Sequence, residues 1–501
     1  MRNARRIWAW SVFSIIGLLC PARLLGLRVS INDLLYEDVL QPPTGSRLKK
    51  SIIMKFHEIR RQFLDHYANS GFTLLPRASM LHPSIPMSFV MSAGLVQIET
   101  SLANAADRSG NRFMLRQDCF RHFDINTVGK DDTHLSLFEM LGAFVFGPDH
   151  QQEMIAHIWD LATRRLGIDP GRIWVTYFSG GQLDGHHLPE DCETLNAWLA
   201  LGLPRERVTG LGIGHNFWQQ GGSSLPTGAE TAKKCGPNTE LFYDRGTEHA
   251  CGRQCRPGCG CARFVEFSNS LFISHELDPA TSQLRPLEDP FAETVIGVER
   301  VGMILQQVPS VFNTTHYHTI IDTLETYRSA DKLPDHLTIS SKRVLVDYLR
   351  ALCVLVSDGA PPPGKNGRER IIRLLVRGIL TRKAILKIKG LDFLPTLIEQ
   401  IVTIFHYSHI DLSTVTGKID MYIASEASRF NKTIRNGKNE LEQLLSQNQG
   451  ETLTGPQIVY LEKEKGLPHL LTASELKKKG LSFNIQGYKT ELNSWGKQKH
   501  H

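Results

Sequence analysis

Three groups of residues in this chain have the types and spacing to do chemistry. Cys251, Cys255, Cys259 and Cys261 fall within eleven residues, with Gly252, Pro257, Gly258 and Gly260 bending the chain between them. Four thiolates this close can form one tetrahedral zinc site, with His249 as a substitute ligand; a reducible loop of free thiols is the alternative. Arg121 stands where the apolar stretch Phe113–Phe120 meets a polar loop, 121–132. An arginine at the end of the first strand of a hairpin can clamp a nucleotide α-phosphate, because its planar guanidinium suits a phosphoryl group whose charge grows in the transition state. Read alone, such a residue is more often half of a surface ion pair. The third group is Glu293-Thr-Val-Ile-Gly297-Val-Glu-Arg300, a strand running into a helix. There Glu293 can pair with a substrate ammonium, Gly297 allows close backbone approach, and Arg300 can lie over an adenine or meet a γ-phosphate. An ordinary helix start with exposed Glu and Arg is the plain alternative.

A fourth feature points to nucleic acid. Between Lys365 and Lys389 the chain has nine basic residues and one acid, Glu369. Arg370, Arg373 and Arg377 form one stripe of a helix whose other face holds Ile371, Leu374, Leu375 and Ile379. The density is notable because the rest of the chain is nearly neutral. The formal charge of +6 comes mostly from five arginines in the first 32 residues, without which 52 basic residues face 51 acidic ones. Residues 1–47 read as a leader: a secretory signal, an organellar transit segment or an over-long start. The expected location is the cytoplasm, with a mitochondrion the alternative if the leader is a transit segment. Scattered Cys20, Cys119, Cys192, Cys235 and Cys353 suit a reducing compartment.

The elements that must position these groups follow from the pattern. Length (501 residues) and 22% charged residues indicate a folded chain of more than one domain, and the one long uncharged apolar run is too short to span a bilayer. Apolar residues at Phe56, Ile59, Phe63 and Tyr67 predict a helix over 52–67, with Arg60 on its polar side. Residues 80–98 read as a broken strand, Leu135–Phe146 as the second strand of the hairpin, 151–166 as a helix, and 200–275 as turn-rich. From about 330 the signals turn helical, at Leu345–Val356, Ile371–Ile388, Phe393–Ile404 and Ile419–Leu445. An α+β domain followed by an all-helical domain is the expected architecture. Gly359-Ala-Pro-Pro-Pro-Gly364-Lys365 has P-loop spacing, but three prolines offer no N–H to a phosphate, so it reads as an interhelical turn. Gly210-x-Gly212-x-Gly214 and His406-x-x-His409 carry no site.

The order of several segments adds a resemblance. Leu81-His-Pro, Ser92-Ala93-Gly94-Leu95, Phe138-Glu139-Met140-Leu141-Gly142-Ala-Phe144-Val-Phe146-Gly147, Asn216-Phe217-Trp218-Gln219, Cys235-Gly-Pro-Asn238-Thr-Glu240 and Gly297-Val-Glu-Arg300 occur in the order of the class II motifs of alanyl-tRNA synthetases. The chain resembles that family from about residue 50 to 490. The resemblance implies a class II antiparallel sheet flanked by helices over 48–329, with a Cys-rich insert, and a helical tRNA-recognition domain over 330–495. It implies activation of alanine with ATP and Mg²⁺ and its transfer to tRNA. By position, Arg121 would grip the α-phosphate, Phe138, Glu139 and Met140 would edge the adenine, and Arg300 would meet adenine and γ-phosphate. Glu240 would lie near ATP or its Mg²⁺. Leu95, Trp218, Asn269, Glu293 and Val295 would form the amino-acid pocket. Lys365, Asn366, Arg368, Arg370, Arg373 and Arg377 would meet the acceptor stem.

The departures are as informative. Glu293 replaces the family's Asp, Val295 a Gly, Leu95 a Met and Ser92 an Asn, and the loop after Arg121 is shorter. The expectation is a pocket for a small α-amino acid, alanine first. A paralogue serving a non-tRNA carrier, or a non-catalytic RNA-binding protein, is the alternative. The zinc-binding motifs of the family's editing domain are absent from the 501 residues, so neither proofreading nor dimerisation through a C-terminal domain is expected, and a monomer is.

Overall fold

The computed structural model describes residues 54–82, 85, 90–95, 98, 110–220, 232–278, 280–329, 335–448 and 451–498; the leader read over 1–47 lies outside them. Eleven strands are present among these residues: β1 Thr73–Leu74, β2 Arg112–Phe120, β3 Leu137–Phe146, β4 Ile173–Phe178, β5 Gly181–Leu183, β6 His186–Leu188, β7 Val208–Leu211, β8 Phe217–Gln219, β9 Lys233–Asp244, β10 Phe264–Leu277 and β11 Leu284–Gly297. Nine of them build one sheet in the order β1-β2-β3-β11-β10-β9-β4-β7, with β8 also paired to β9, while β5 and β6 form a separate hairpin. The expected antiparallel sheet is present from β2 to β4, but β1 joins β2 and β7 joins β4 in parallel, so the whole is mixed.

Side chains alternate across these strands with period two. Along β3, Leu141, Ala143 and Val145 enter the main core, whereas Phe144 enters a smaller cluster with Leu95, Phe113, Leu115, Leu271, Ile273 and Phe291 on the opposite face. Gly142 keeps that second face thin: a Cβ there would stand 2.9 Å from the Phe144 ring and 3.4 Å from Val295 Cγ1. The main core continues from the back of the sheet into the helices Asp335–Ser357, Gly367–Leu386, Phe393–Ile404 and Leu412–Gln447, through Leu349, Val354, Leu375, Leu397 and Ile419. A second core, around Leu441, Ile458, Leu461 and Leu467, holds the final helices, Gly455–Lys463, His469–Lys478 and Ile485–Gln498. Among the described residues no helix is long and apolar enough to cross a membrane.

Four sequence expectations need correction. The helix predicted over 52–67 runs from Phe56 to Ala68, and Arg60, placed on its polar side, is buried. Its guanidinium is drawn inward by the carboxylate of Glu139, at 2.6 and 2.7 Å. The segment 200–275, read as turns, contains β9 and β10, two long central strands; Gly236, Pro237 and Asn238 are poor strand formers, but pairing on both edges overrides propensity. In the stretch read as a broken strand, Gly94, Leu95 and Ile98 are helical. Leu374, placed on the apolar face of its helix, is 44% exposed and shares the arginines' side.

Candidate active site

A cleft open to solvent, with a cavity volume of about 210 Å³, lies on the second face of the sheet. Its lining brings together Leu95, Arg121, Phe138, Met140, Trp218, Asn269, Glu293, Val295 and Arg300. Alternation explains the convergence. Phe138 and Met140 share a face of β3, Glu293 and Val295 a face of β11, and Asn269 and Leu271 a face of β10. Glu293 pairs in register with Leu271 and Phe144, which puts its carboxylate at the sheet's centre with 2% exposure. The Met140 sulfur accepts the Gly94 N–H at 3.2 Å, joining the Leu95 segment to this wall.

Arg121 follows β2 directly, in extended conformation, with its guanidinium carbon 4.9 Å from the Phe138 ring centroid. That contact holds the cation over an aromatic face in the cleft. Arg300 sits in the helix Val298–Leu305, which begins where β11 ends. Its Nη1 donates at 3.0 Å to both the carboxylate and the backbone carbonyl of Glu266. Asn269 donates to Glu240 at 3.4 Å and accepts from Asn238 at 3.1 Å. Burial, and then the negative charge of Glu266, push the Glu240 carboxyl up to about 8, with Arg300 pulling the other way. Two carboxylates crowded beside one cation form a donor set that suits a divalent metal.

Glu266 was not found by sequence reasoning, although it contacts Arg300 directly. Three residues before Asn269, it belongs by simple alternation to the opposite face. The register of β10 on β9 shifts between Glu266 and Ser268, and this bulge brings Glu266 into the cleft with Asn269. Glu139 shows the converse. Its side chain points away from the cleft, 1% exposed, and accepts from Arg60 and from Arg116 Nε at 2.8 Å. Burial opposes its ionisation, but those two arginines hold the carboxyl down at about 2. Glu139, expected at the edge of the adenine, is therefore a correction: it is not among the residues lining the cleft, and its N–H donates at 3.1 Å to the carboxylate of Glu299.

Glu299, the neighbour of Arg300, is fixed from behind by Arg350 at 2.7 Å. Arg350 is fully buried, donates to Tyr317, Tyr407 and the Leu137 carbonyl, and stacks 4.0 Å from the Phe405 ring centroid. The Asp335–Ser357 helix thus anchors both β3 and the helix that carries Arg300.

The expected RNA residues divide into two groups. Lys365, Asn366 and Arg370 are exposed and Arg373 is half-exposed. Arg368 is a correction, and Arg377, with its side chain 31% exposed, is engaged in part. Arg368 is buried and donates to the carbonyls of Leu81 and Ile85, and Arg377 donates at 2.6 Å to the buried carboxylate of Glu426. Both clamp their helix to neighbouring segments. The prolines of the apparent P-loop lie in the connection between Asp335–Ser357 and Gly367–Leu386, and His406 follows the end of its helix. In the cysteine loop, the sulfurs of Cys251, Cys255 and Cys261 lie within 4.8 Å of one another; Cys259 is outside that trio.

An open cleft on the antiparallel centre of a mixed sheet, backed by helices, is the arrangement of a class II synthetase catalytic fold. The chain belongs to the family tRNA synthetases class II (A), which it matches over residues 58–501. It is 32% identical over 461 residues to "Alanine--tRNA ligase" of Leptospira borgpetersenii serovar Hardjo-bovis (strain JB197), covering 87% of this chain and 47% of that protein. It is also 32% identical over 448 residues to "Alanine--tRNA ligase" of Rubrobacter xylanophilus, covering 88% and 49%. The chain therefore spans about half the length of the curated relatives it matches.

Proposed function

We propose that this chain activates a small α-amino acid, alanine, with ATP and transfers it to tRNA. The observation that carries this reading is the meeting of Arg121 and Arg300 in one cleft with a small apolar end formed by Leu95, Met140, Trp218 and Val295. In the first step a carboxylate oxygen of the amino acid attacks the α-phosphorus, its bond to the β-phosphate oxygen breaks, and pyrophosphate leaves. In the second, the terminal ribose hydroxyl of the tRNA attacks the activated carbonyl, its proton passes to the departing phosphate, and AMP leaves.

Arg121 follows the charge that builds on the α-phosphate, and Arg300 takes the adenine and γ-phosphate after exchanging its bond to Glu266. Removing one such donor typically costs 10²–10³ in rate. Glu293 takes the substrate ammonium. Catalysis is by positioning and charge stabilisation; the first nucleophile is already a carboxylate and needs no general base, and in the second step the phosphate of the leaving AMP takes the hydroxyl proton. Glu240 and Glu266 are the residues that would hold Mg²⁺, which when bound neutralises phosphate charge. On the helical side, Lys365, Arg370 and Arg373 would contact acceptor-stem phosphates, with Asn366 available to read a base pair. Family membership and the names of the relatives support the same reading.

ATP–pyrophosphate exchange tests it. Exchange with alanine is expected, falling at least a hundredfold in Arg121→Ala. No exchange with alanine, glycine or serine overturns it.

A further inference from the structure

The Cys-rich loop between β9 and β10 is closed at its base. Arg263 donates to both oxygens of Asp244 at 2.8 and 2.6 Å, and the Arg245 N–H meets the Arg263 carbonyl at 2.9 Å. Gly258 turns the loop with φ +93°, a conformation that favours glycine. Held this way, Cys255 and Cys261 bring their sulfurs to 3.4 Å, and Cys251 completes a trio within 4.8 Å. A tetrahedral zinc ion with Zn–S bonds of about 2.3 Å sets its sulfurs roughly 3.8 Å apart, so the trio needs little movement to close on one ion.

The loop also borders the active site. Gly260, Cys261 and Ala262 wall a second cavity, facing Lys130–His134, and this cavity shares His134, Glu266 and Arg300 with the cleft.

We propose that Cys251, Cys255 and Cys261 bind one zinc-class divalent ion, and that this ion fixes the loop as the outer wall of the nucleotide cleft beside Arg300. The metal site stands on its own; its effect on nucleotide rests on the ligase reading.

The test uses the full chain, stripped of metal under reducing conditions and titrated with Co²⁺. One equivalent should produce an intense sulfur-to-cobalt charge-transfer band that Zn²⁺ abolishes. Cys261→Ser and Cys255→Ser should each lose the band, while Cys192→Ser, an exposed cysteine elsewhere, keeps it. Stripped enzyme should show at least a tenfold higher KM for ATP in pyrophosphate exchange, with kcat within threefold. No band in the wild type, or a Cys255–Cys261 disulfide in reduced preparations, overturns the site. A band with unchanged KM overturns the role as a wall. Absence of exchange activity beside a normal band strikes the ligase reading and leaves the metal site supported.

Discussion

Lowering the pH should weaken magnesium binding through Glu240. Burial and the charge of Glu266 push this carboxyl up to about 8, so near neutrality it carries a proton that a divalent cation must displace. For a single displaced proton, about one carboxyl in eleven is ionised at pH 7 and one in a hundred at pH 6, against half at pH 8. Apparent Mg²⁺ affinity should therefore fall about fivefold from pH 8 to 7 and about fiftyfold from pH 8 to 6. The assay is a Mg²⁺ titration of ATP–pyrophosphate exchange at each pH. Glu240→Gln run alongside subtracts the protonation of ATP itself. The wild type should show the steep dependence and the variant only the shallow one. Equal slopes in the two proteins would refute the assignment of Glu240 to the metal. The sign for stability is the opposite of the usual carboxylate. With its value raised from 4.5, the folded state keeps a proton that the unfolded chain releases, so the stability this group contributes is full below about pH 4.5 and is lost as pH rises through about 8.

Three further outcomes follow from the geometry. Val295→Gly removes an isopropyl group from the amino-acid end of the cleft and should raise kcat/KM for serine relative to alanine by about tenfold, within the 1–3 kcal/mol by which a pocket discriminates substrates one small group apart. Arg350→Met leaves Glu299 buried opposite no cation; chemical denaturation should show a loss of about 3–5 kcal/mol. Arg370→Ala with Arg373→Ala should weaken tRNA binding and flatten its log–log salt dependence by about 2, whereas Arg368→Ala lowers stability and leaves that slope alone.

What the sequence made legible was local or lay in the order of its motifs. Arg121 directly follows a strand and Arg300 lies in the first turn of the helix after one; read singly each is as readily a surface ion pair or an ordinary helix start, and the order of the motifs singles out both for the cleft they line. The helix Phe393–Ile404 was readable to the residue because its apolar spacing is uninterrupted. What escaped depended on partners distant in the chain. Arg60 looks like a surface residue until Glu139, 79 positions away, is placed opposite it. Glu139 itself was drawn toward the nucleotide by its place in the motif, although strand alternation turns its carboxylate to the other side. Glu266 was hidden by a bulge that one strand's sequence does not announce. Arg368 shows that a basic stripe counts charge and not availability, since the carbonyls of Leu81 and Ile85 consume it, and Arg377 is drawn partly aside by Glu426.

In the proposed reaction one cleft binds ATP and a small amino acid and joins them. Amino-acid-dependent ATP–pyrophosphate exchange, screened over all twenty amino acids, tests it most directly. Exchange with alanine should exceed that with every other amino acid and fall at least a hundredfold in Arg300→Ala in a protein that remains folded. A folded wild-type chain that exchanges with none of the twenty, or an Arg300→Ala variant as active as the wild type, contradicts it.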